Sequence, residues 1–236
     1  MKVGIMQPYF MPYIGYWQLI GEVDKFVLLD DVNYIMRGYI NRNTILLNGQ
    51  TYRFTIPIYK ASQNRLIMDT KLNFDQKEKT RFLRTVQNAY HKADYYDKVM
   101  PLLQKIIYYQ EENLTKYIQF SIEQVKKYLN LTTEILVSSE IEKNDTLKGE
   151  DRIIEICRIL GADTYINPSG GRALYHQERF IKENMQLYFI DTRMDQVIYK
   201  QCSKQFVENL SIIDLLLNIS VEEIKSLLEK FQLSIK

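Results

Sequence analysis

Residues 2–31 constrain the fold more than any other stretch of the chain. Residues 2–7 carry a short apolar strand pattern (VGIM) that Pro8 and Pro12 stop. Residues 13–23 place apolar side chains at helical spacing, and residues 25–30 (KFVLLD) form a compact apolar run ending in two adjacent carboxylates. Strand, helix and strand in so short a span predict a parallel α/β layout. A right-handed crossover then sets the loops after both strands at the same sheet edge.

Residues 33–48 are polar, aromatic and basic, and close on Asn48-Gly49, a two-residue turn signal. The flanking stretches 44–47 and 51–56 predict an antiparallel hairpin beside the parallel core. From 75 to 129, leucine, isoleucine and tyrosine recur at helical spacing over 75–90, 97–110 and 113–129. Residues 134–137 predict a third parallel strand, followed by a polar loop over 138–148 and a helix over 150–160 that Gly161 stops. Residues 164–166 predict a strand leading into Asn167-Pro168-Ser169-Gly170-Gly171. Residues 180–184 and 187–190 suggest one further helix–strand step, and 211–218 and 221–228 are amphipathic helices. No linker or repeat divides the chain. The expected architecture is a single α/β domain over 1–236, built on a Rossmann-like parallel sheet. It carries a β-hairpin, a helical insertion at 75–129 and a helical tail at 201–236.

Composition narrows the function classes. A formal net charge of +2 gives no electrostatic case for nucleic acid as the main partner. No long uncharged apolar run suits a signal peptide or a membrane span, so a soluble, cytoplasmic protein is expected. Cys157 and Cys202 are too few for a disulfide framework and read as inert apolar residues. His91 and His176, with no cysteine cluster, offer no zinc site. The usual phosphate-loop, dinucleotide, zincin and hydrolase motifs are missing. The chain does hold 18 tyrosines.

Ligands of open parallel sheets bind beyond the carboxyl ends of the strands, where three segments are expected to converge. The first runs from Gln7 through Tyr9, Tyr13 and Gly15 to Tyr16. Singly these tyrosines read as half-buried core; as a unit, so many polar-tipped rings at one strand end read as a site. The second spans 30–43. Asp30 and Asp31 can hold Mg²⁺ or accept protons from an amine, or serve as a turn pair. Arg37 and Arg42, with Asn41 and Asn43, suit phosphate or carboxylate oxygens, whereas either arginine alone reads equally as a solvated loop residue. Tyr34 adds a further aromatic wall. The third holds Asn167, Gly170, Gly171 and Arg172, with Lys148 on the neighbouring loop. Paired glycines can expose amides to phosphate, though most such pairs are only turns. His176 reads as a surface residue or as a base near the site.

The runs VGIMQPYFMPYIGYWQLI and DKFVLLDDVNYIMRGYINRNTIL, with the later YINPSGGRALY and LSIIDLLLN, resemble the WbqC-like family over essentially the whole chain. That resemblance implies an association with O-antigen and other surface-polysaccharide gene clusters. It also implies transfer of glycine or a similar acyl unit onto an amino sugar. A more distant similarity concerns Tyr13-Ile14-Gly15-Tyr16-Trp17-Gln18-Leu19-Ile20. Its spacing is similar to the His-x-Gly-His segment of pantothenate synthetase-type adenylyl-transferring α/β proteins, with Tyr13 and Tyr16 standing where those proteins keep two histidines. This similarity implies ATP and Mg²⁺ as cofactors and an acyl-adenylate intermediate, with Gly15 letting adenine or ribose lie close. Tyrosine is uncharged near neutral pH, so pyrophosphate would fall to Arg37, Arg42, Lys148 or Arg172.

The expected activity is therefore acyl transfer, glycyl or similar, from a small carboxylic or amino acid onto the amino group of a nucleotide-linked amino sugar. Asp30, Asp31, Arg42 and Tyr16 form the expected catalytic set. Two alternatives stay open: a transferase using a pre-activated donor such as aminoacyl-tRNA or a thioester, and a nucleotide-sugar-binding module without turnover.

Overall fold

The structure, a computed structural model, describes residues 1–235; Lys236, the last residue of the expected tail, lies outside them. Strand β1 (Lys2–Met6), helix α1 (Ile14–Glu22) and strand β2 (Lys25–Leu28) follow the opening pattern closely. β1 and β2 pair in parallel, with Val3 opposite Lys25. Period-two alternation decides what each strand faces. Val3, Ile5 and Val27 enter one buried cluster, while Phe26 and Leu28 enter the other on the opposite side of the sheet.

Strands β3 (Arg42–Leu47) and β4 (Gln50–Thr55) form the expected hairpin, a separate two-stranded antiparallel sheet. The turn places Asn48 and Gly49 both at positive φ, the backbone that an Asn-Gly pair adopts readily. Helices α2 (Gln76–Tyr90), α3 (Tyr96–Ile107) and α4 (Leu114–Tyr128) make the helical insertion. Asp75 and Asn113 cap α2 and α4 by accepting from backbone amides in the first turn.

Strand β5 (Glu134–Val137), helix α5 (Gly149–Ile159), strand β6 (Thr164–Pro168), helix α6 (Gln177–Lys182) and strand β7 (Gln186–Thr192) complete the parallel part. Helices α7 (Ile212–Asn218) and α8 (Val221–Leu228) pack on the main cluster. The tail does not end as helix. Phe231–Ser234 forms β8, which pairs antiparallel to β7 at the sheet edge.

The six-stranded order is β5-β2-β1-β6-β7-β8. From β1 the chain first builds outward through β2 to β5, then returns to the other side of β1 through α5 and β6. The winding reverses between β1 and β6, and it is at this switch point that the carboxyl ends of neighbouring strands part and leave a crevice.

Candidate functional site

A cleft of about 820 Å³ opens at that reversal, within the range of small-ligand sites. Met6 and Gln7 at the end of β1, Leu29 after β2, Asn167 to Gly171 around the end of β6, and Ile190 to Thr192 at the end of β7 all line it. Parts of all three expected segments therefore meet. From the first come Gln7, Tyr9, Tyr13 and Gly15. From the second come Ile35, Tyr39 and Asn43, and from the third Asn167, Gly170 and Gly171.

The turn after β1 is held from elements distant in sequence. The Asn43 side-chain amide and the Ser211 hydroxyl both donate to the Met11 carbonyl, each at 2.7 Å. The Ile212 amide donates to Pro12 at 3.0 Å. Met11 itself sits at φ 46°, a backbone that this over-determined turn sustains. The Tyr9 ring stacks on Tyr16, with centroids 5.4 Å apart, and leans against Tyr39 at 6.1 Å. Burial, reinforced by neighbouring phenols, raises the Tyr9 and Tyr13 hydroxyls above the ordinary tyrosine value. Both therefore remain hydrogen-bond donors throughout the neutral range.

Two glycines make this packing feasible. A Cβ on Gly15 would stand 2.6 Å from the Tyr13 ring and 2.9 Å from the Thr192 hydroxyl. The room that Gly15 provides is thus taken by protein, not left for the adenine or ribose expected there. A Cβ on Gly171 would stand 2.1 Å from the Asn167 amide nitrogen. That amide donates to Pro168 at 2.8 Å, and its oxygen accepts from Tyr165 at 2.9 Å.

Among the described residues lining the cleft, Asp191 alone carries a formal charge. Its carboxylate accepts from Arg172 and from Ser234, each at 2.6 Å. Burial would raise its pKa, but the hydroxyls of Ser234 and Ser169 and the Arg172 guanidinium outweigh that and hold it below the ordinary carboxylate value. Arg172 also lies over the Phe189 ring at 4.7 Å and donates to Ile235, so it ties the turn after β6 to β7 and β8. Next to Asp191, Thr192 donates to Gln18 at 2.6 Å, and Gln18 in turn donates to Leu227 and Lys230. Sequence reasoning missed Asp191 and Thr192. The signal was present: LYFID is an apolar strand ending in a carboxylate, as is FVLLD.

The expected catalytic set is dispersed. Asp30 is buried, accepting from the Ser139 amide at 2.9 Å and the Ser139 hydroxyl at 2.8 Å. Burial raises its pKa, the Ser139 bonds oppose this, and Asp31 adds to the rise. Asp31 faces Lys143 at 2.9 Å and Arg152 at 3.4 Å. Tyr16 is buried behind Tyr9, its hydroxyl donating to the Gln7 carbonyl at 3.0 Å. Arg42 donates to the Gly38 carbonyl at 2.6 Å. None of these four lines the cleft.

Several expected binding residues also serve the scaffold. Tyr34 donates to Asn41 at 2.6 Å and Asn41 donates to Ile56 at 2.8 Å, both residues buried. Arg37 and Lys148 are exposed and neither is part of the cleft lining, although Arg37 lies between Ile35 and Tyr39, which are. His176 contacts Glu150 at 3.2 Å on the surface. The donor sets decide the implied cofactors. Both Asp30 oxygens are occupied by Ser139, and Asp31 is matched by two cations, so the pair offers Mg²⁺ no anionic face. None of the four cations expected to hold ATP phosphates is part of the cleft lining, and Arg172 is engaged by Asp191. The residues present fit neither Mg²⁺ nor a triphosphate held in the expected way.

The model of the WbqC-like protein family matches residues 7–226. The chain belongs to that family. The matched span contains the turn after β1, both glycine positions and Asp191. A relative from Mycobacterium tuberculosis, described as uncharacterized protein Rv1507c, is 26% identical over 224 residues, covering 94% of this chain and 95% of the relative. No solved structure matches the chain, and no comparison shows the similarity to pantothenate synthetase-type proteins. No helix among the described residues is long and apolar enough to cross a membrane.

Proposed function

We propose that this family member transfers an acyl group from a pre-activated donor onto the amino group of a nucleotide-linked amino sugar, in surface-polysaccharide synthesis. One observation carries the reading: a carboxylate, Asp191, and the phenols of Tyr9 and Tyr13 line one cleft at the switch point of the sheet. Asp191 accepts a hydrogen bond from the sugar amine and orients its lone pair toward the acyl carbon. Held ionised below the ordinary range, it is a weak base suited to orientation rather than to removing the proton. The Tyr9 and Tyr13 hydroxyls donate to the acyl oxygen as negative charge develops there, the use to which preorganised donors are put in acyl transfer. Asn43 and Asn167 are fixed by their own bonds and wall the sugar. A nitrogen–carbon bond forms, the bond from the acyl carbon to its leaving group breaks, and the amine proton departs with that leaving group or to water.

The lining favours a donor that arrives activated. An acid activated in place by ATP would add a second polyphosphate to that of the sugar nucleotide, and among the described residues no cation lines the cleft. The test combines UDP-glucosamine with either an acyl thioester or ATP plus the free acid, and follows N-acyl product by mass spectrometry. Product from the thioester without nucleotide is expected. Product only with ATP would return the adenylate route. No product in either arm, with binding of the sugar nucleotide intact, would leave a binding module.

A further inference from the structure

We infer that the acyl group handled by this cleft carries an apolar chain rather than a glycyl unit; this rests on the acyl-transfer reading above. The cleft has two apolar lips. Ile35 and Tyr39, from the segment between β2 and β3, are 49% and 56% exposed, and Leu174, after β6, is 66% exposed; all three line the cleft. Large apolar side chains left in water along one cleft are the mark of a surface that a ligand covers.

These lips are presented, not frayed. Below the first lip, the Phe10 amide donates to Ile40 at 2.9 Å, Arg42 to Gly38 at 2.6 Å, and Tyr34 to Asn41 at 2.6 Å. The residues flanking 35–39 are fastened while their apolar side chains stand out. Below the second lip, Arg172 binds the turn to Asp191 and Ile235. Inward from the lips the lining continues apolar through Met6, Leu29 and Ile190.

Charge argues the same way. Among the described residues Asp191 is the single charged lining residue and takes the acceptor amine, so the remaining lining matches an uncharged chain. A glycyl unit would bring a second ammonium and leave Ile35, Tyr39 and Leu174 bare.

The test is calorimetric titration with UDP-N-acyl-glucosamines from acetyl to decanoyl, beside straight-chain alkanols without sugar. The dissociation constant is expected to fall by about fourfold per methylene until the lips are filled. Ile35→Asn and Leu174→Asn should flatten that dependence. Ile181→Asn, also at an exposed apolar residue but off the cleft, should not. Unchanged thermal melting of each variant checks the fold. Binding of every sugar derivative with the same affinity overturns the inference and leaves the transfer reading standing. Chain-length dependence in the alkanols, with no sugar derivative bound, upholds the apolar subsite and removes the transfer reading beneath it. A dimer in sedimentation that Leu174→Asn dissolves overturns the inference in favour of a second copy covering the lips.

Discussion

Two strands of one sheet, β2 and β7, each end in an apolar run followed by aspartate, and the two ends have opposite fates. After β2, the loop that follows β5 folds over the carboxylates: Ser139 takes Asp30, and Lys143 with Arg152 takes Asp31. After β7, the glycine turn following β6 supplies Arg172 but little bulk, and Asp191 keeps an open side on the cleft. A carboxylate at a strand end is therefore not by itself a site. What separates the two is what covers them: β2 and β7 each stand one strand from the winding reversal, but the loop after β5 closes over the β2 carboxylates, whereas Asp191 stays on the cleft lining.

The largest effect should come from Asp31→Ala. It leaves Lys143, whose side chain is 1% exposed, as an uncompensated buried cation, and a loss of about 3–5 kcal/mol is expected in urea unfolding. Asp191→Asn, partly open to solvent, should cost about 1 kcal/mol or less while abolishing N-acyl product. If the stability ranking reversed, the contrast between the two strand ends would fail.

Gly15→Ala should be next. Its methyl group meets Tyr13 and Thr192, so a cost of about 1–3 kcal/mol is expected in thermal unfolding, with the Tyr13 ring displaced toward the cleft. Loss of binding larger than the loss of stability would sharpen the case for Tyr13 as a wall of the site.

The smallest effect is a pair of opposite pH slopes. Asp30 has a raised carboxyl pKa, so the folded state holds its proton longer than the unfolded chain. Stability from this group is full below the ordinary carboxylate value and falls as pH rises through the folded value. Asp191 has a lowered pKa, and its contribution is present above the ordinary value and lost as pH falls through the folded one. Asp30→Asn should remove a stability loss on rising pH, and Asp191→Asn a stability gain. Unfolding measured across the acid range checks both, and slopes of the same sign would contradict the assigned environments.

Much of the fold was legible because its strands and helices announce themselves by period. The opening strand–helix–strand, the Asn48-Gly49 hairpin and the three insertion helices all form within a few residues of their expected bounds. β8 was not legible. Phe231–Ser234 is too short for alternation to show, and its place depends on pairing with β7. The cleft was legible as a place, since β1 and β6 carry its turns, but not in its chemistry. Asp30-Asp31 and Arg42 look reactive in sequence, and only tertiary contacts reveal that Ser139, Lys143, Arg152 and the Gly38 carbonyl occupy them. Nothing in the sequence marks Tyr39 and Leu174 as exposed on the cleft, because exposure there has no sequence period.

Hydrogen–deuterium exchange with UDP-glucosamine tests most directly whether ligands enter at the reversal between β1 and β6. Protection is expected over residues 7–15, 167–175 and 190–194, with residues 138–148 unchanged. Protection confined to 138–148 and the Asp30-Asp31 end, with the cleft segments unaffected by bound ligand, would contradict the account.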